Sequence, residues 1–341
     1  GAATSDPAIH GWIIQGVKGS QQAMISHLGE WIIVAAGPQK HPLFDEIAAR
    51  IFHDGAPVSP GPTNFWLDVD IDVNRAARIF PFLAKAGTNL TRVRFNLTGD
   101  GSHVITDGLI TLSNPLPTPL ETCQIPTNLI RQPLLSFTSI RGLQPVLSQW
   151  KFWNGLQIGR PPGQLFFWSL TNNPYHTYLA APSATAEHQI AGLTDFLLQQ
   201  GNPWLAKNGY INFHRAPDSN GVVWGNVSSI TPFIRSVGDA DHWLYAGLLP
   251  VPISTTSEPL PNQLNLVQQT NLVYYDWELT GPMLPARLSL LQTVRQIARA
   301  PQMPTDSASL NWLGVLIPRL GPSQTTIKQS SPNELTVHRQ S

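Results

Sequence analysis

The chain has 341 residues, 42% of them hydrophobic, which is enough to build a full core and excludes a disordered protein. Its 21 basic residues balance its 21 acidic residues and only 12% of residues are charged, so no net field attracts nucleic acid. The single cysteine, Cys123, excludes a disulfide framework and a cysteine-rich zinc site and fits a reducing compartment. Residues 1–30 lack the pattern of a signal peptide, and we expect no membrane span.

Short apolar or alternating runs, separated by clusters of Pro, Gly, Asn and Ser, follow one another along the chain. This pattern is typical of an all-β sandwich, and 31 prolines leave little room for long helices. We predict strands over 11–17, 30–37, 64–73, 89–99, 104–113, 163–170, 209–215, 221–229, 242–251 and 270–279. Helical periodicity predicts short helices over 42–52, 74–87 and 187–201 and a clearer one over 285–300. Residues 120–162, rich in Pro and Leu, are either loops or an inserted subdomain.

Three carboxylates, Asp68, Asp70 and Asp72, stand at alternate positions in the run FWLDVDIDVN. A calcium loop of the EF-hand type requires Gly and a bidentate Glu where this chain has Val73 and Ile79, so that interpretation fails. A metal site of the kind formed by DVD motifs in glycosyltransferases stays open as a weak alternative.

A β-strand explains the same alternation more simply. The three carboxylates then share one face, and the apolar residues between them are expected to face the core: Phe65, Leu67, Val69, Ile71 and Val73. Like charges on one face repel each other and need a counter-charge. Arg92 and Arg94 on the strand predicted at 89–99 can supply it, or else a cation at a subunit interface.

The common catalytic signatures are missing, with no G-x-S-x-G, H-E-x-x-H or phosphate-binding loop. Asp100, Ser102 and His103 are close in sequence, which predicts a polar hairpin turn because the members of a catalytic triad come from separate elements. Cys123 is expected to be a buried or idle thiol. We therefore predict no enzyme, no catalytic residue and no cofactor.

The helix predicted at 285–300 has an apolar stripe that we expect to dock on the domain, formed by Leu288, Leu291, Val294 and Ile297. Its charges are all positive: Arg287, Arg295 and Arg299. They either form the solvated face or make a weak, sequence-independent contact with RNA.

The segment 80–115 runs as a short helix, a Gly, an alternating strand with Arg and Phe, a polar turn with His, and an apolar strand. It resembles the helix and strands D and E of the jelly-roll major capsid proteins of picorna-like viruses, particularly the insect-infecting groups. Residues 272–284 look like the last strand of that fold, and 10–24 are similar to the start of its first strand.

The resemblance implies an all-β chain with an eight-stranded antiparallel jelly-roll sandwich and short helices. An N-terminal arm (1–8) would precede the capsid domain (9–281), and a C-terminal extension (282–341) would pack on a neighbouring subunit or on the capsid surface. The function implied is that of a polyprotein product made in the host cytoplasm. It would assemble with other capsid chains into a non-enveloped icosahedral virion around an RNA genome.

Two other classes of function stay open. A carbohydrate-binding β-sandwich or adhesin would use the 11 Trp residues and the aspartate ladder. A metal-dependent transferase would use Asp68 and Asp70. The sequence does not identify a host receptor.

Overall fold

The structure is a computed structural model that describes the chain in segments. These are 2–3, 10–15, 21–28 and 31–38, in backbone only, and 66–79, 89–116, 119–130, 133–148, 160–170, 175–216, 221–225, 230–238, 243–250, 270–297 and 308–341.

A four-stranded antiparallel sheet lies near the N-terminus, in the order β1-β2-β3-β4. Its strands are β1 (Ala2–Ala3), β2 (His10–Gln15), β3 (Gln21–Leu28) and β4 (Trp31–Pro38). The strands predicted at 11–17 and 30–37 are confirmed as β2 and β4.

A second sheet contains thirteen strands. They are β5 (Leu67–Asp72), β6 (Leu90–Gly99), β7 (Val104–Leu112), β8 (Leu134–Arg141), β9 (Gln164–Leu170), β10 (Thr177–Pro182), β11 (Phe213–Arg215), β12 (Gly221–Trp224), β13 (Phe233–Val237), β14 (Trp243–Gly247), β15 (Leu272–Leu279), β16 (Pro322–Ser331) and β17 (Glu334–Gln340). Their order is β11-β12-β13-β14-β10-β9-β8-β15-β16-β17-β7-β6-β5. The all-β class is confirmed. The eight-stranded jelly roll stays a prediction, because the pairings join all thirteen strands into one continuous sheet and do not separate them into two.

The C-terminal hairpin lies in the middle of this sheet. Strand β16 pairs with β15, and β17 pairs with β7, so among the described strands this hairpin joins the two parts of the sheet. Residues 322–340 belong to the extension expected to pack on a neighbouring subunit or on the capsid surface, and in the structure they form two central strands of the chain's own sheet. The reason is physical: β15 and β7 each offer a row of backbone donors and acceptors that this hairpin satisfies. The division of the chain into domains stays a prediction.

The helices are α1 (Val73–Ile79), α2 (Gln144–Leu147), α3 (Ala186–Phe196), α4 (Asn202–Lys207), α5 (Thr280–Ile297) and α6 (Ala308–Leu316). A π turn (Leu197–Gly201) links α3 to α4, and a 3-10 turn (Ile317–Arg319) follows α6. The helices predicted around 74–87, 187–201 and 285–300 are present, and the one predicted at 42–52 lies outside the described residues. Within the described part of the chain, no helix is both long and apolar enough to cross a bilayer.

The hydrophobic core is an aromatic cluster on one face of strands β8, β9, β10, β14 and β15. Phe137 lies opposite Trp168, and Trp168 lies opposite Tyr178, so all three share a face. Phe137 is fully buried and Trp168 is 1% exposed. The rings of Tyr178 and Tyr245 stack 5.7 Å apart. Buried aromatic rings of this size contribute much of the free energy that stabilises a sheet.

The strands at the other end of the sheet carry their apolar residues on the opposite face. This part, which we call the β5 end, consists of β5, β6, β7 and β17. Residues that are paired across neighbouring strands share a face, and successive pairs connect Val69 in β5 to Tyr274 in β15. Val69 and Tyr274 therefore lie on the same face, whereas the next residue, Tyr275, belongs to the aromatic core. Adjacent residues of a strand point to opposite faces, so the apolar face of the β5 end is separate from the core.

The expectation that the apolar side chains of β5 face the core is therefore wrong for Leu67 and Ile71. The alternation itself is present, but Leu67 is 48% exposed and Ile71 is 36% exposed. The physical reason is that β5 is the last strand of the sheet, paired with β6 on one side. Val73 is buried, but as the first residue of α1, and Phe65 lies outside the described residues.

Candidate functional site

Asp70 is held between two arginines of the neighbouring strand. Strands β5 and β6 pair so that Asp70 lies opposite Arg94 and Asp72 lies opposite Arg92. The Nε of Arg92 donates to Asp70 Oδ1 over 2.7 Å, and the Nε of Arg94 donates to Asp70 Oδ2 over 2.9 Å. These contacts, that of Arg92 first, lower the pKa of the Asp70 carboxyl below its ordinary value. The predicted counter-charge within the chain is confirmed.

The two flanking aspartates behave differently. Asp72 Oδ1 accepts the backbone N–H of Arg75 over 3.0 Å, which caps the first turn of α1. Asp68 makes no hydrogen bond or ion pair with any described residue, and its carboxylate faces an open groove of about 550 Å³. The three-member ladder is thus one arginine-bound carboxylate, one helix cap and one solvated charge.

The groove beside Asp68 crosses β5, β6, β7 and β17. Its far side is formed by Asp107, whose Oδ1 lies 2.8 Å from Nδ1 of His338 on β17. No group of three or more His, Cys, Asp or Glu side chains suited to a metal ion occurs among the described residues. Both oxygens of Asp70 already accept hydrogen bonds from guanidinium groups, so this carboxylate is poorly placed to coordinate a metal or a nucleotide sugar.

The turn between β6 and β7 is a polar hairpin turn, as predicted. Asp100 Oδ1 accepts the backbone N–H groups of Ser102 over 2.9 Å and of His103 over 2.7 Å. These bonds, with that of the Ser102 hydroxyl, hold the pKa of Asp100 well below its usual range. Nδ1 of His103 lies 2.8 Å from the Ser102 hydroxyl, but all three side chains stand on one exposed turn. They stabilise the turn and do not form a nucleophile in a cleft.

A cluster of polar side chains is buried in the middle of the sheet, on the face opposite the aromatic core. Glu278 is 4% exposed and Asp276 is 7% exposed, both on β15. The Thr138 hydroxyl donates to Asp276 Oδ1 over 2.6 Å. Arg339 of β17 donates to the hydroxyl of Thr325 over 3.1 Å. Buried polar groups of this kind are stable only when paired, so the cluster favours one arrangement of the central strands.

Helix α5 is tied to this cluster by an ion pair. Arg287 on α5 contacts Oε2 of the buried Glu278 through its Nη2. Burial, followed by the charge of Asp276, raises the pKa of the neighbouring Tyr274 to about 12, so its hydroxyl stays protonated. Removing Arg287 would leave the buried Glu278 carboxylate uncompensated, so this contact helps to hold α5 on the sheet. The Arg287 side chain is itself 53% exposed, and its contact with RNA stays a prediction.

The other predicted RNA contacts are placed differently. Arg295 is half-buried on α5, and Arg299 lies outside the described residues. A weak RNA contact by this helix stays a prediction.

The face of α5 that docks on the sheet differs from the predicted one. Its buried residues include Met283, Ala286 and Thr293, and the Tyr175 hydroxyl lies 3.1 Å from that of Thr293. Of the predicted stripe, Leu291 is 44% exposed and Val294 is 56% exposed. The expectation that the stripe docks on the domain is therefore wrong for Leu291 and Val294, because the sheet surface beneath α5 is the polar cluster, whereas Leu288 is half-buried.

Cys123 lies in a loop that sequence reasoning left unassigned. The Nε2 of buried Gln164 donates to the Thr122 carbonyl over 2.6 Å, and Gln124 N donates to Gln164 Oε1 over 3.0 Å. Burial raises the pKa of the Cys123 thiol, which lowers its reactivity. A groove of about 380 Å³ lies beside this loop, lined by Glu121, Thr122, Gln124, Gln164, Pro182, Ser183 and Ala184.

Comparison with protein-family models, with curated proteins and with solved structures finds no match for this chain. The function is therefore argued from the surfaces described above.

Proposed function

We propose that the chain is a structural subunit of a non-enveloped icosahedral virus capsid, which assembles with other capsid chains around an RNA genome. The observation that carries this proposal is the exposure of large apolar side chains at the β5 end. A protein that functions alone rarely leaves such a face in water.

The exposed side chains at this end are large and close together. Trp66 is 64% exposed, Leu67 48% and Ile71 36% on or beside β5, and Val104 at the start of β7 is 37% exposed. Among the described strands, β5 pairs only with β6, so its outer edge is open to a further strand. An open edge with an apolar face is a surface that evolution protects unless a partner uses it.

Composition supports an enclosed subunit independently. Only 12% of residues are charged and the formal net charge is zero, whereas freely soluble domains carry about 25% charged residues. Obligate interfaces are depleted in charge and bury on the order of 2,000 Å² or more. Low charge spread over the whole chain fits a protein whose surface is largely covered by neighbours.

The finer parts of this proposal rest on the resemblance of 80–115 to capsid strands D and E. They are the eight-stranded jelly roll, the cytoplasmic synthesis and the location in a virion. Contact with RNA would be weak, because residues 1–30 contain a single Lys and no Arg.

The test is assembly of the purified full-length chain. We expect particles of megadalton mass by light scattering and negative-stain microscopy, alone or after co-expression with its partner capsid chains. Changing Leu67 and Ile71 together to Asp should abolish assembly, since charged side chains cannot enter an apolar interface.

The matched control is Ile211→Asp, which changes a side chain of similar exposure, 49%, that lies away from the β5 end. It should leave assembly unchanged. A wild-type chain that stays monomeric under every condition, or a β5 variant that assembles normally, would contradict the proposal.

One observation favours a second candidate, a carbohydrate-binding module. Trp204 is 60% exposed, and its ring stacks on that of Tyr210 at 6.0 Å and 15°. Flat exposed aromatic pairs of this kind can bind the apolar faces of sugar rings. Saturable glycan binding that is lost in Trp204→Ala and kept in the β5 variant would favour this function.

A further inference from the structure

Strand β5 is an end strand of the larger sheet, and its outer edge is open. Among the described strands it pairs with β6 alone. The end strand on the other side, β11, is closed by a side chain: Asn202 Nδ2 donates to the Phe213 carbonyl over 3.0 Å, and Phe213 N donates to Asn202 Oδ1 over 2.7 Å. The two ends of the sheet thus differ, because only β11 has outer backbone groups that a described residue satisfies.

The exposed apolar side chains at the start of β5 form one surface. Trp66 N donates to the Leu97 carbonyl over 2.8 Å, and a Cβ added to Gly99 would clash with the Trp66 ring, so the ring lies directly over Gly99. Gly99 and Leu97 share a face of β6, and Leu97 is paired with Leu67. Trp66 and Leu67 therefore lie next to each other at the outer edge, and both are exposed.

The other face of β5 contains one carboxylate that no described residue pairs. Charges along an end strand usually protect it from further pairing. Here Asp70 is bound by two arginines of β6 and Asp72 caps α1, so Asp68 alone keeps an uncompensated charge. It faces an open groove of about 550 Å³, which has room for a lysine or arginine side chain.

A second copy of the same strand does not fit this edge. Residues that lie opposite each other in paired strands share a face. When two β5 strands pair with like faces together, aspartates of one copy lie opposite aspartates of the other, and like charges directly opposite repel. A shift by one residue places the charged face of one copy beside the apolar face of the other. Neither arrangement gives Asp68 a counter-charge.

We propose that the outer edge of β5 binds an extended segment of a different chain, which adds a strand to the sheet. The segment that fits has apolar residues at alternate positions, which extend the surface of Trp66 and Leu67, and a lysine or arginine between them, which pairs with Asp68. Main-chain hydrogen bonds to the edge supply affinity, and the charge selects the register. This rests on the proposed function, since the segment is taken to belong to another capsid chain.

The test is binding of short synthetic peptides to the full-length, unassembled chain. One peptide alternates valine with threonine and has a single central lysine on the threonine face, and a second peptide has glutamate in place of that lysine. We expect saturable binding of the lysine peptide by fluorescence anisotropy. The glutamate peptide should bind more weakly by about fivefold or more, because repulsion replaces attraction at one exposed charge pair.

Charge reversal at Asp68 then identifies the contact. Asp68→Lys should bind the glutamate peptide more tightly than the lysine peptide, whereas the wild type does the opposite. The matched control is Glu187→Lys, the same change of charge at an exposed position on α3, which packs on β12, β13 and β14 towards the other end of the sheet. It should keep the wild-type preference. Circular dichroism of each variant verifies that the fold is kept.

Methylation of the peptide backbone separates strand addition from other modes of docking. A strand added to an edge uses the N–H groups along one of its own sides only. Methylating every second N–H should therefore abolish binding in one of the two alternate patterns and leave it intact in the other. This measurement needs no variant of the chain, so it decides even where a substitution disturbs folding.

Four outcomes would overturn the proposal: no saturable binding of either peptide, an unchanged preference in Asp68→Lys, equal effects of the two methylation patterns, or self-association of the chain that the lysine peptide displaces. The proposed capsid function fails separately. Particles formed by a chain that binds neither peptide would keep the capsid function and overturn the strand addition, whereas peptide binding by a chain that never assembles would do the reverse.

Discussion

Asp70 shows how pairing across two strands can account for the position of a surface carboxylate. Its two oxygens accept hydrogen bonds from Arg92 and Arg94, which the two-residue period of strands already predicts from sequence. The aspartate ladder therefore owes its regularity to the pairing of β5 with β6. The separate fates of Asp68 and Asp72 were not predictable, because they depend on where the strand ends and α1 begins.

The lowered pKa of Asp70 gives a pH dependence with a definite sign. A carboxyl whose folded pKa lies below its unfolded value of 3.8 stabilises the fold above that value and loses this contribution as the pH falls through the folded pKa. We expect Asp70→Asn to melt below the wild type at neutral pH and the difference to vanish at more acidic pH. Thermal melts across this range measure it. Asp68→Asn, which removes a charge with no described partner, should show no such trend.

Gly247 illustrates a requirement of close packing that sequence cannot show. A Cβ at this position would lie 2.6 Å from the Tyr178 ring and 2.8 Å from the Phe233 ring. We expect Gly247→Ala to lower the free energy of unfolding by about 1–3 kcal/mol, because the fully packed core has no room for the methyl group.

The matched control for this change is Gly314→Ala on α6, where a Cβ meets no atom within 4 Å. Alanine is favoured over glycine in helices by up to about 1 kcal/mol, so this variant should be neutral or stabilised. Urea denaturation of both variants decides. Equal stability of the two would contradict the packing described for Gly247.

Helix α5 shows that an apolar stripe does not by itself predict which face of a helix packs on the sheet. Its sequence predicts that the Leu and Val positions face the domain, but the surface beneath the helix contains Glu278, Asp276 and their partners. Met283, Ala286 and Thr293 are the side chains of α5 that are buried, and Arg287 adds an ion pair. Leu291 and Val294 face outwards.

Several central strands could not be predicted, because their own sequences lack the pattern of a strand. Strand β8 lies within the Pro-rich region 120–162, and β16, PSQTTIKQSS, lacks the apolar alternation that identifies a strand. These segments form strands because they pair with neighbouring strands, and not because of a pattern in their own sequences. The strands that were predicted, such as β6 and β7, have a clear two-residue period.

Removal of the C-terminal hairpin is the sharpest test of this arrangement. A chain ending at Gly321 lacks β16 and β17, so β15 loses its partner β16, β7 loses its partner β17, and the sheet is divided. We expect this truncated chain to be insoluble or to lack a cooperative thermal transition. A soluble truncated chain that melts like the full-length protein would show that the hairpin is peripheral.

The whole molecule combines a well-packed interior with an unusually unprotected exterior. One aromatic core lies on one face of the sheet, and the apolar side chains of the β5 end lie on the opposite face. Sequence predicted the all-β class and the low charge of the surface. It could not predict which apolar residues stay exposed, because a buried and an uncovered face have the same alternation along the chain.

The position of the hairpin also sets the timing of folding. Because residues 322–340 complete the centre of the sheet, the sheet cannot finish forming before these residues have been synthesised. Until then the edges of β7 and β15, which are separated by more than 150 residues in sequence, are unpaired, and such edges favour misassociation. The yield of folded protein should therefore depend strongly on the integrity of residues 322–340.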